Sequence, residues 1–264
     1  MNGTAPTHHR TEDRPGTGRA APVLRRVLAQ AGFEARGLLS HGEQLLVSVI
    51  LPLLALLGLA FTDAPSLGDG ARIDVAAAGV LALAVISTAF TGQAILLGFE
   101  RRYGVLRMLG TTPLGRGGLL LAKALSVLAV LVVQFLVLGV VAWFLGWRPE
   151  VVGVPAAVLV TLAGVLAFAS LAALVGGTLR AEGVLAVANL FWILLAALGG
   201  VLISADRYPA PWDTVVGLLP SAALGDGLRT ALVHGGFPAL EILVLLVWAA
   251  AASVLASRLL RWSD

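Results

Sequence analysis

Long apolar runs without charged residues constrain the fold of this chain more than any motif does. The clearest run follows Lys123 and reaches Trp147 without an Asp, Glu, Lys or Arg. About 20 predominantly apolar residues in a helix span the hydrocarbon core of a bilayer. Apolar residues make up 58% of the 264 and charged residues only 12%, against about 25% in soluble domains. The sequence therefore predicts an integral membrane protein of the all-α class.

Six runs of this kind predict six transmembrane helices in a single membrane domain covering residues 22–264. The predicted spans are 45–61, 75–98, 119–147, 151–178, 184–203 and 240–260. The first is the shortest and contains Pro52, which a helix surrounded by other helices tolerates. Residues 1–21 are rich in Thr, Pro, Gly and Arg and lack apolar periodicity, so we expect them to form a disordered tail.

The basic residues are divided unequally between the two sides that six spans would create. Of the 18 Lys and Arg residues, four lie on one side, namely Arg72, Arg148, Arg207 and Arg229, and the other 14 lie on the opposite side. Lys and Arg accumulate in short cytoplasmic loops. This bias predicts a multi-pass protein of the plasma membrane with both termini in the cytoplasm. The excess of Arg over Lys suggests a bacterial source with a GC-rich genome.

Residues 22–44 have the pattern of a helix that lies along the membrane surface. Apolar residues recur at helical spacing at Leu24, Val27, Leu28, Ala31, Ala35, Leu38 and Leu39. The other sides of that helix carry Arg25, Arg26, Gln30, Glu34 and Arg36. A basic amphipathic helix of this type favours the interface with anionic lipid. The pattern leaves open whether the helix is only a lipid anchor or also contacts a protein partner.

The connector between the second and third spans, residues 99–123, is the most polar segment between two apolar runs. Its charged residues are Glu100, Arg101, Arg102, Arg107, Arg116 and Lys123. Thr112 precedes Pro113 and is therefore disfavoured in a helix. This pattern predicts a short amphipathic helix, a turn and then the third span. On charge alone, the connector is either a topology anchor or a docking segment.

The segment 204–239 is long for a connection, and it is not simply polar. Apolar residues are dense from Val215 to Leu232, which favours two short helices that dip into the outer leaflet. Pro220 followed by Ser221 indicates a helix start with Ser221 as N-cap, and Gly235 with Gly236 indicates its end.

Several chemistries have no signature in the sequence. There is no phosphate-binding G-x-x-x-x-G-K-[ST] motif, so we expect no nucleotide site, and no spacing of His or carboxylates predicts a metal site or a catalytic residue. Ionisable residues are absent from the middle of the spans, which disfavours a proton- or sodium-coupled secondary transporter. Uncharged polar residues within spans are candidates to line a substrate path, or alternatively pack between helices. These candidates are Thr91, Gln93, Gln134 and Asn189.

The ordered motifs of the connector resemble the membrane subunits of type-2 ATP-binding-cassette exporters. They are Glu-Arg-Arg-x-Gly, Leu-x-x-Leu, Thr-Thr-Pro-Leu and a lysine ten residues after the proline. The matching positions are Glu100, Arg101, Arg102, Gly104, Leu106, Leu109, Thr112, Pro113 and Lys123. In that family the loop forms a coupling helix that docks on a separate ATPase subunit. The resemblance thus implies that positions 100–113 of this chain dock on such a partner.

The resemblance in layout extends over residues 22–262. It implies an N-terminal helix that contacts the ATPase, and it implies re-entrant helices on the outer side. It also implies a permease without catalytic activity, paired with a second permease subunit in a homo- or heterodimer. ATP would be bound by the partner, and the apolar path walls suit a hydrophobic or amphipathic substrate. No nucleic-acid partner is expected. The alternatives are a non-transporting membrane scaffold and, less favoured, a secondary transporter.

Overall fold

A computed structural model describes residues 22–40, 42–62, 64, 66–105, 108 and 115–259 of the chain. Every regular element in those ranges is helical. Five helical segments there are long and apolar enough to cross a membrane, and the shorter apolar stretch Val49–Ala60 belongs to a sixth helix. The all-α class is therefore confirmed for the described residues, while the count of six spans stays a prediction.

Ten α-helices and one π-helical segment follow one another along the described chain. They are α1 (Val23–Ser40), α2 (Gly42–Ala60), α3 (Arg72–Val85), the π-segment (Ile86–Gly92), α4 (Gln93–Arg102), α5 (Gly115–Phe144), α6 (Val154–Thr178), α7 (Ala181–Leu198), α8 (Trp212–Gly217), α9 (Pro220–Leu232) and α10 (Ala239–Leu259). Short 3-10 turns, Val151–Gly153 and Ala205–Arg207, precede α6 and α8.

The helix bounds differ from the predicted spans mainly where glycine turns the chain. The predicted span 119–147 corresponds to α5, which ends at Phe144 because Gly146 has a left-handed φ of 100°. The predicted span 184–203 corresponds to α7, which ends at Leu198, and Gly200 follows with φ 72°. The second predicted span, 75–98, lies within one continuous helical stretch from Arg72 to Arg102.

This continuous stretch of α3, π-segment and α4 is the centre of the bundle. All of its residues from Val75 to Ile86 are buried, with α2, α5 and α9 packed around α3 and with α6 and α7 packed around α4. Many of them are alanine, and small residues let helix backbones approach closely in a membrane. Elsewhere α6 packs along α10, and α1 packs along α5.

The π-segment contributes polar contacts halfway along the central stretch. The Thr88 hydroxyl donates to Gln134 Oε1 of α5 at 2.9 Å, and Trp192 Nε1 of α7 donates to the Ser87 hydroxyl at 2.7 Å. A π-turn widens the helix and often marks functional positions. Here it directs two adjacent hydroxyls towards two different neighbouring helices.

Helix α9 lies inside the protein and not at its surface. Most of its residues from Pro220 to Leu232 are buried, and α9 packs on α3, α6 and α10. The predicted N-cap role of Ser221 is wrong: Leu219 is the N-cap, and the Ser221 hydroxyl donates to Gly199 O at 2.6 Å. Pro220 starts the helix because its fixed φ suits the first turn, which frees the serine for this tertiary bond.

A satisfied ionic network anchors α9 to the end of α7. The buried Arg229 guanidinium donates to Val201 O and Gly200 O at 2.9 Å and to Asp226 Oδ1 at 2.7 Å. Asp226 also accepts from the Ser204 hydroxyl at 2.6 Å. The segment after α7 is therefore packed against the bundle. That its helices dip into the outer leaflet stays a prediction.

Candidate functional site

Six charged side chains meet where α4 ends and the connector to α5 begins. We call this group the charged junction, and its members are Glu34, Glu100, Arg101, Arg102, Lys123 and Glu182. They come from α1, α4, α5 and α7, and Arg101 reaches the end of α6 as well. The charged junction thus brings together five helices at one end of the bundle, which we call the connector end.

Lys123 holds one side of the charged junction. It is the ninth residue of α5, and its side chain is only 8% exposed. Its Nζ lies 2.7 Å from Glu100 Oε1 and 3.6 Å from Glu34 Oε2. A buried lysine is costly unless it is paired. The two carboxylates therefore fix α5 against both α4 and α1.

Packing between α1 and α5 explains why Glu34 faces inward. Val27 and Ala31 of α1 form a buried apolar cluster with Ala122 of α5. Glu34 lies seven residues after Val27 and so on the same helical face. Gln30 Nε2 holds its other oxygen, Glu34 Oε1, at 2.9 Å. The sequence analysis placed Glu34 on a side of the helix other than the one with the apolar residues, and this was wrong. The burial of Val27 against α5, which decides which face points inward, is known only from the structure.

Arg101 and Arg102 hold the opposite side of the charged junction. Arg101 is 4% exposed, and its guanidinium donates to Leu179 O at the C-terminal end of α6. Arg102 forms an ion pair with Glu182 in the first turn of α7. A cation at a helix C-terminus binds its free carbonyl groups and complements the helix dipole. These two contacts tie the turn between α6 and α7 to the end of α4.

Backbones also approach closely beside these ion pairs. A Cβ added to Gly176 of α6 would lie 2.7 Å from Ala94 O, and one added to Gly98 of α4 would lie 3.1 Å from a methyl of Val184. Close packing therefore requires glycine at position 176, whereas at Gly98 the Val184 side chain would have to shift by a few tenths of an ångström to admit a Cβ. Since α4 contacts α6 almost backbone to backbone and contacts α7 through Val184, the last turn of α4 and the turn between α6 and α7 form one packed unit.

A small cavity of about 60 Å³ opens beside Lys123, between α4, α5 and α6. Gln93 and Lys123 are its polar lining residues, and small apolar side chains of α5 and α6 complete it. Binding sites for drug-sized ligands occupy roughly 300–1,000 Å³, whereas a water needs only about 10–15 Å³. This cavity is therefore large enough for a few waters but not for a hydrophobic substrate.

The four substrate-path candidates lie in different surroundings. Gln93 lines the cavity, and Gln134 is buried in its bond with Thr88. The Thr91 hydroxyl is buried without a hydrogen bond from the described residues. Asn189 lies on the exposed side of α7. The described structure thus brings Gln134 together with Thr88, which the sequence did not single out, and does not gather the four candidates into one path.

Three of the eight docking candidates belong to the charged junction, one lies just after it, and the other four lie in an undescribed part of the connector. Glu100 and Arg101 are directed into the protein, Arg102 is half-exposed in its ion pair, and Gly104 turns the chain with φ 70°. Leu106, Leu109, Thr112 and Pro113 lie outside the described residues, as does the tail 1–21. Among the described members, the contacts reach other helices of the same chain.

Comparison with known proteins places these features in a family. A family model described as ABC-2 type transporter, from the membrane subunits, matches residues 34–233. The match begins at Glu34, includes the whole charged junction and ends just after α9. No curated protein matches the chain. Because the match covers more than half of the 264 residues, the chain belongs to the ABC-2 type transporter membrane family.

Proposed function

We propose that this chain is the permease subunit of an ABC exporter that moves a hydrophobic or amphipathic substrate outward across a bacterial plasma membrane. The chain would cross the membrane six times, with α2 as the first span and both termini in the cytoplasm. A separate ATPase subunit would bind and hydrolyse ATP, and a second permease subunit would complete the path. The chain itself would have no catalytic residue and no metal site.

The charged junction is the observation that carries this proposal. The connector after Arg102 begins from a turn whose charged residues are tied to α5, α6 and α7 directly, and to α1 through Lys123. A force applied to the connector by a docked partner would therefore reach most of the bundle through short contacts, all of them buried except the Arg102–Glu182 ion pair. A connector that served only as a topology anchor would need its positive charge but not these contacts.

The inward orientation of Glu100 and Arg101 separates two roles within the proposed coupling segment. These residues would transmit movement, since their contacts lie within the chain. Contact with the ATPase would fall to the apolar and polar residues after them, Leu106, Leu109, Thr112 and Pro113. Arg102 and Gly104 lie between the two groups, half-exposed and exposed.

The proposal is tested by placing charge in the docking segment. We expect Leu106→Asp combined with Leu109→Asp to abolish recovery of the ATPase with the permease and to stop ATP-dependent export. Docking would bury the two introduced carboxylates in an apolar pocket of the ATPase, which is unfavourable. Membrane insertion should be unchanged, since the long apolar helices drive it. Co-purification and uptake into inverted vesicles measure the two effects.

A matched control carries the same change at the other end of the bundle. Val151 and Val152 are both highly exposed, in the turn before α6. Val151→Asp with Val152→Asp should leave ATPase recovery intact. Full ATPase recovery and export in the Leu106/Leu109 variant would refute docking by this segment. If no ATPase co-purifies with the wild-type chain, the result would favour a membrane scaffold instead.

A further inference from the structure

The cavity between α4, α5 and α6 is lined by two polar side chains that are almost completely buried. Gln93 is 8% exposed and Lys123 is 7% exposed, and both line the same space of about 60 Å³. Gln93 lies seven residues before Glu100 and therefore on the same face of α4. The amide and the ion pair of Lys123 with Glu100 are thus neighbours along one side of the cavity.

These two side chains have more hydrogen-bonding groups than the described residues satisfy. The Lys123 ammonium group has three donors, and it makes one hydrogen bond, to Glu100 Oε1 at 2.7 Å. Glu34 Oε2, 3.6 Å away, attracts the ammonium group but lies beyond hydrogen-bond distance. The Gln93 carboxamide has two donors and an acceptor, and none of them is bonded within the described part of the chain.

The other walls of the cavity contain no group that could satisfy them. Their residues are apolar, and most of them are alanines, namely Ala124, Ala169, Ala172 and Ala173. An apolar occupant would leave the buried amide and ammonium groups without partners, which is costly. A cation would be repelled by Lys123, and an anion would be repelled by the two carboxylates that already pair with it.

We propose that this cavity is a binding site for a small cluster of water molecules, which complete the hydrogen bonds of Gln93 and Lys123. Water both donates and accepts, so one cluster satisfies the donors of the lysine together with the donors and the acceptor of the amide. A buried water typically makes about three such bonds and needs only about 10–15 Å³, which the volume of the cavity exceeds.

Water in this position also makes the ion pairs of Lys123 easier to break. Opposite charges attract less strongly where water raises the local dielectric constant. A water molecule bonded to the ammonium group can replace a carboxylate that moves away with α1 or α4. This consequence rests on the proposed function, in which the connector and the charged junction move during transport.

Radiolytic labelling of the purified wild-type protein with X-rays tests for the water directly, because hydroxyl radicals formed from a buried water oxidise the nearest side chain. Val127 lines the cavity and is 0% exposed. Val85 of α3 is a matched control, since it is also 0% exposed and is not a lining residue of this cavity. We expect Val127 to be oxidised roughly fivefold faster than Val85 or more. Equal rates would overturn the inference.

Two substitutions of nearly equal shape separate the loss of water from crowding. Ala172 lines the cavity and is 1% exposed. Ala172→Leu displaces water with an apolar group and should lower the midpoint of thermal unfolding by about 4 °C or more. Ala172→Asn replaces water with a donor and an acceptor and should keep the midpoint within about 2 °C of the wild type. Equal lowering by both would show that only volume matters, and an unchanged or higher midpoint for Ala172→Leu would indicate a dry cavity. Either result would overturn the inference.

Co-purification of the ATPase and ATP-dependent export, measured on the wild-type chain, report on the proposed function separately. A chain that binds the ATPase and exports, but whose Val127 is labelled no faster than Val85, would retain the proposed function and lose the water site. A chain whose Val127 is labelled as expected, but which recovers no ATPase, would retain the water site and lose the proposed function.

Discussion

Lys123 shows how one buried charge can organise one end of a membrane protein. Its ammonium group is within ion-pair distance of two carboxylates, Glu100 and Glu34, that are far apart in the sequence. Removing one partner of a buried ion pair is more damaging than replacing all partners with apolar groups. The stability of the connector end should therefore depend on the balance of charge in this group.

At the residue scale, we predict that Lys123→Met lowers the free energy of unfolding by about 3–5 kcal/mol, because Glu100 and Glu34 remain buried without their cation. Arg102→Met breaks the other ion pair, whose side chains are 46% and 68% exposed, and should cost about 1 kcal/mol or less. The midpoint of thermal unfolding of the purified protein measures both. Adding Glu100→Gln and Glu34→Gln to Lys123→Met should restore much of the loss. Equal midpoints for Lys123→Met and Arg102→Met would contradict this account.

At the scale of elements, the end of α4 and the turn between α6 and α7 behave as one unit because glycine permits their contact. Gly176 lies where a Cβ would be 2.7 Å from Ala94 O, a backbone atom that cannot move aside alone. A Cβ added to Gly183, in α7, would have only one neighbour within 4 Å, the Leu179 Cβ at 3.9 Å. The two glycines are both helical, so substitution by alanine isolates the effect of the contact.

We predict that Gly176→Ala destabilises the protein by about 1–3 kcal/mol, since the helices must separate to admit the methyl group. Gly183→Ala should be neutral or stabilising by up to about 1 kcal/mol, because alanine favours the helix and the site has room. Thermal unfolding again provides the measurement, and export assays would show whether separation of α4 from α6 also uncouples transport. Equal destabilisation by the two substitutions would disprove the role of the contact.

At the scale of the whole molecule, the connector end and the opposite end of the bundle face different sides of the membrane if the positive-charge bias sets orientation. Two exposed residues report on the two ends: Tyr103 after α4, 71% exposed, and Val152 before α6, 82% exposed. In intact cells an impermeant thiol reagent should label Val152→Cys. It should label Tyr103→Cys only after permeabilisation. Labelling of Tyr103→Cys from outside would reverse the orientation and remove the proposed docking site from the ATPase.

Part of the candidate site was predictable because its signals are local in sequence. Glu100, Arg101 and Arg102 were identified from their order and from their place between two apolar runs. Their contacts were not predictable, since Lys123, Leu179 and Glu182 are 23, 78 and 80 residues away from the residues that bind them. Asn189 was noticed as a polar residue in an apolar helix, but its outward direction depends on the rotation of α7.

The sequence by itself determined the membrane class, the approximate helices and the family, because each depends on hydropathy, glycine and proline positions or ordered motifs that are summed along the chain. The tertiary structure decided the inward direction of Glu34, the anchoring of α9 by Arg229, the joining of α4 to the turn between α6 and α7 and the exposure of Asn189. These features depend on how each helix is rotated about its axis and on which helices meet. Such choices are fixed by packing and pairing between distant residues, for which no local pattern in the chain provides a signal.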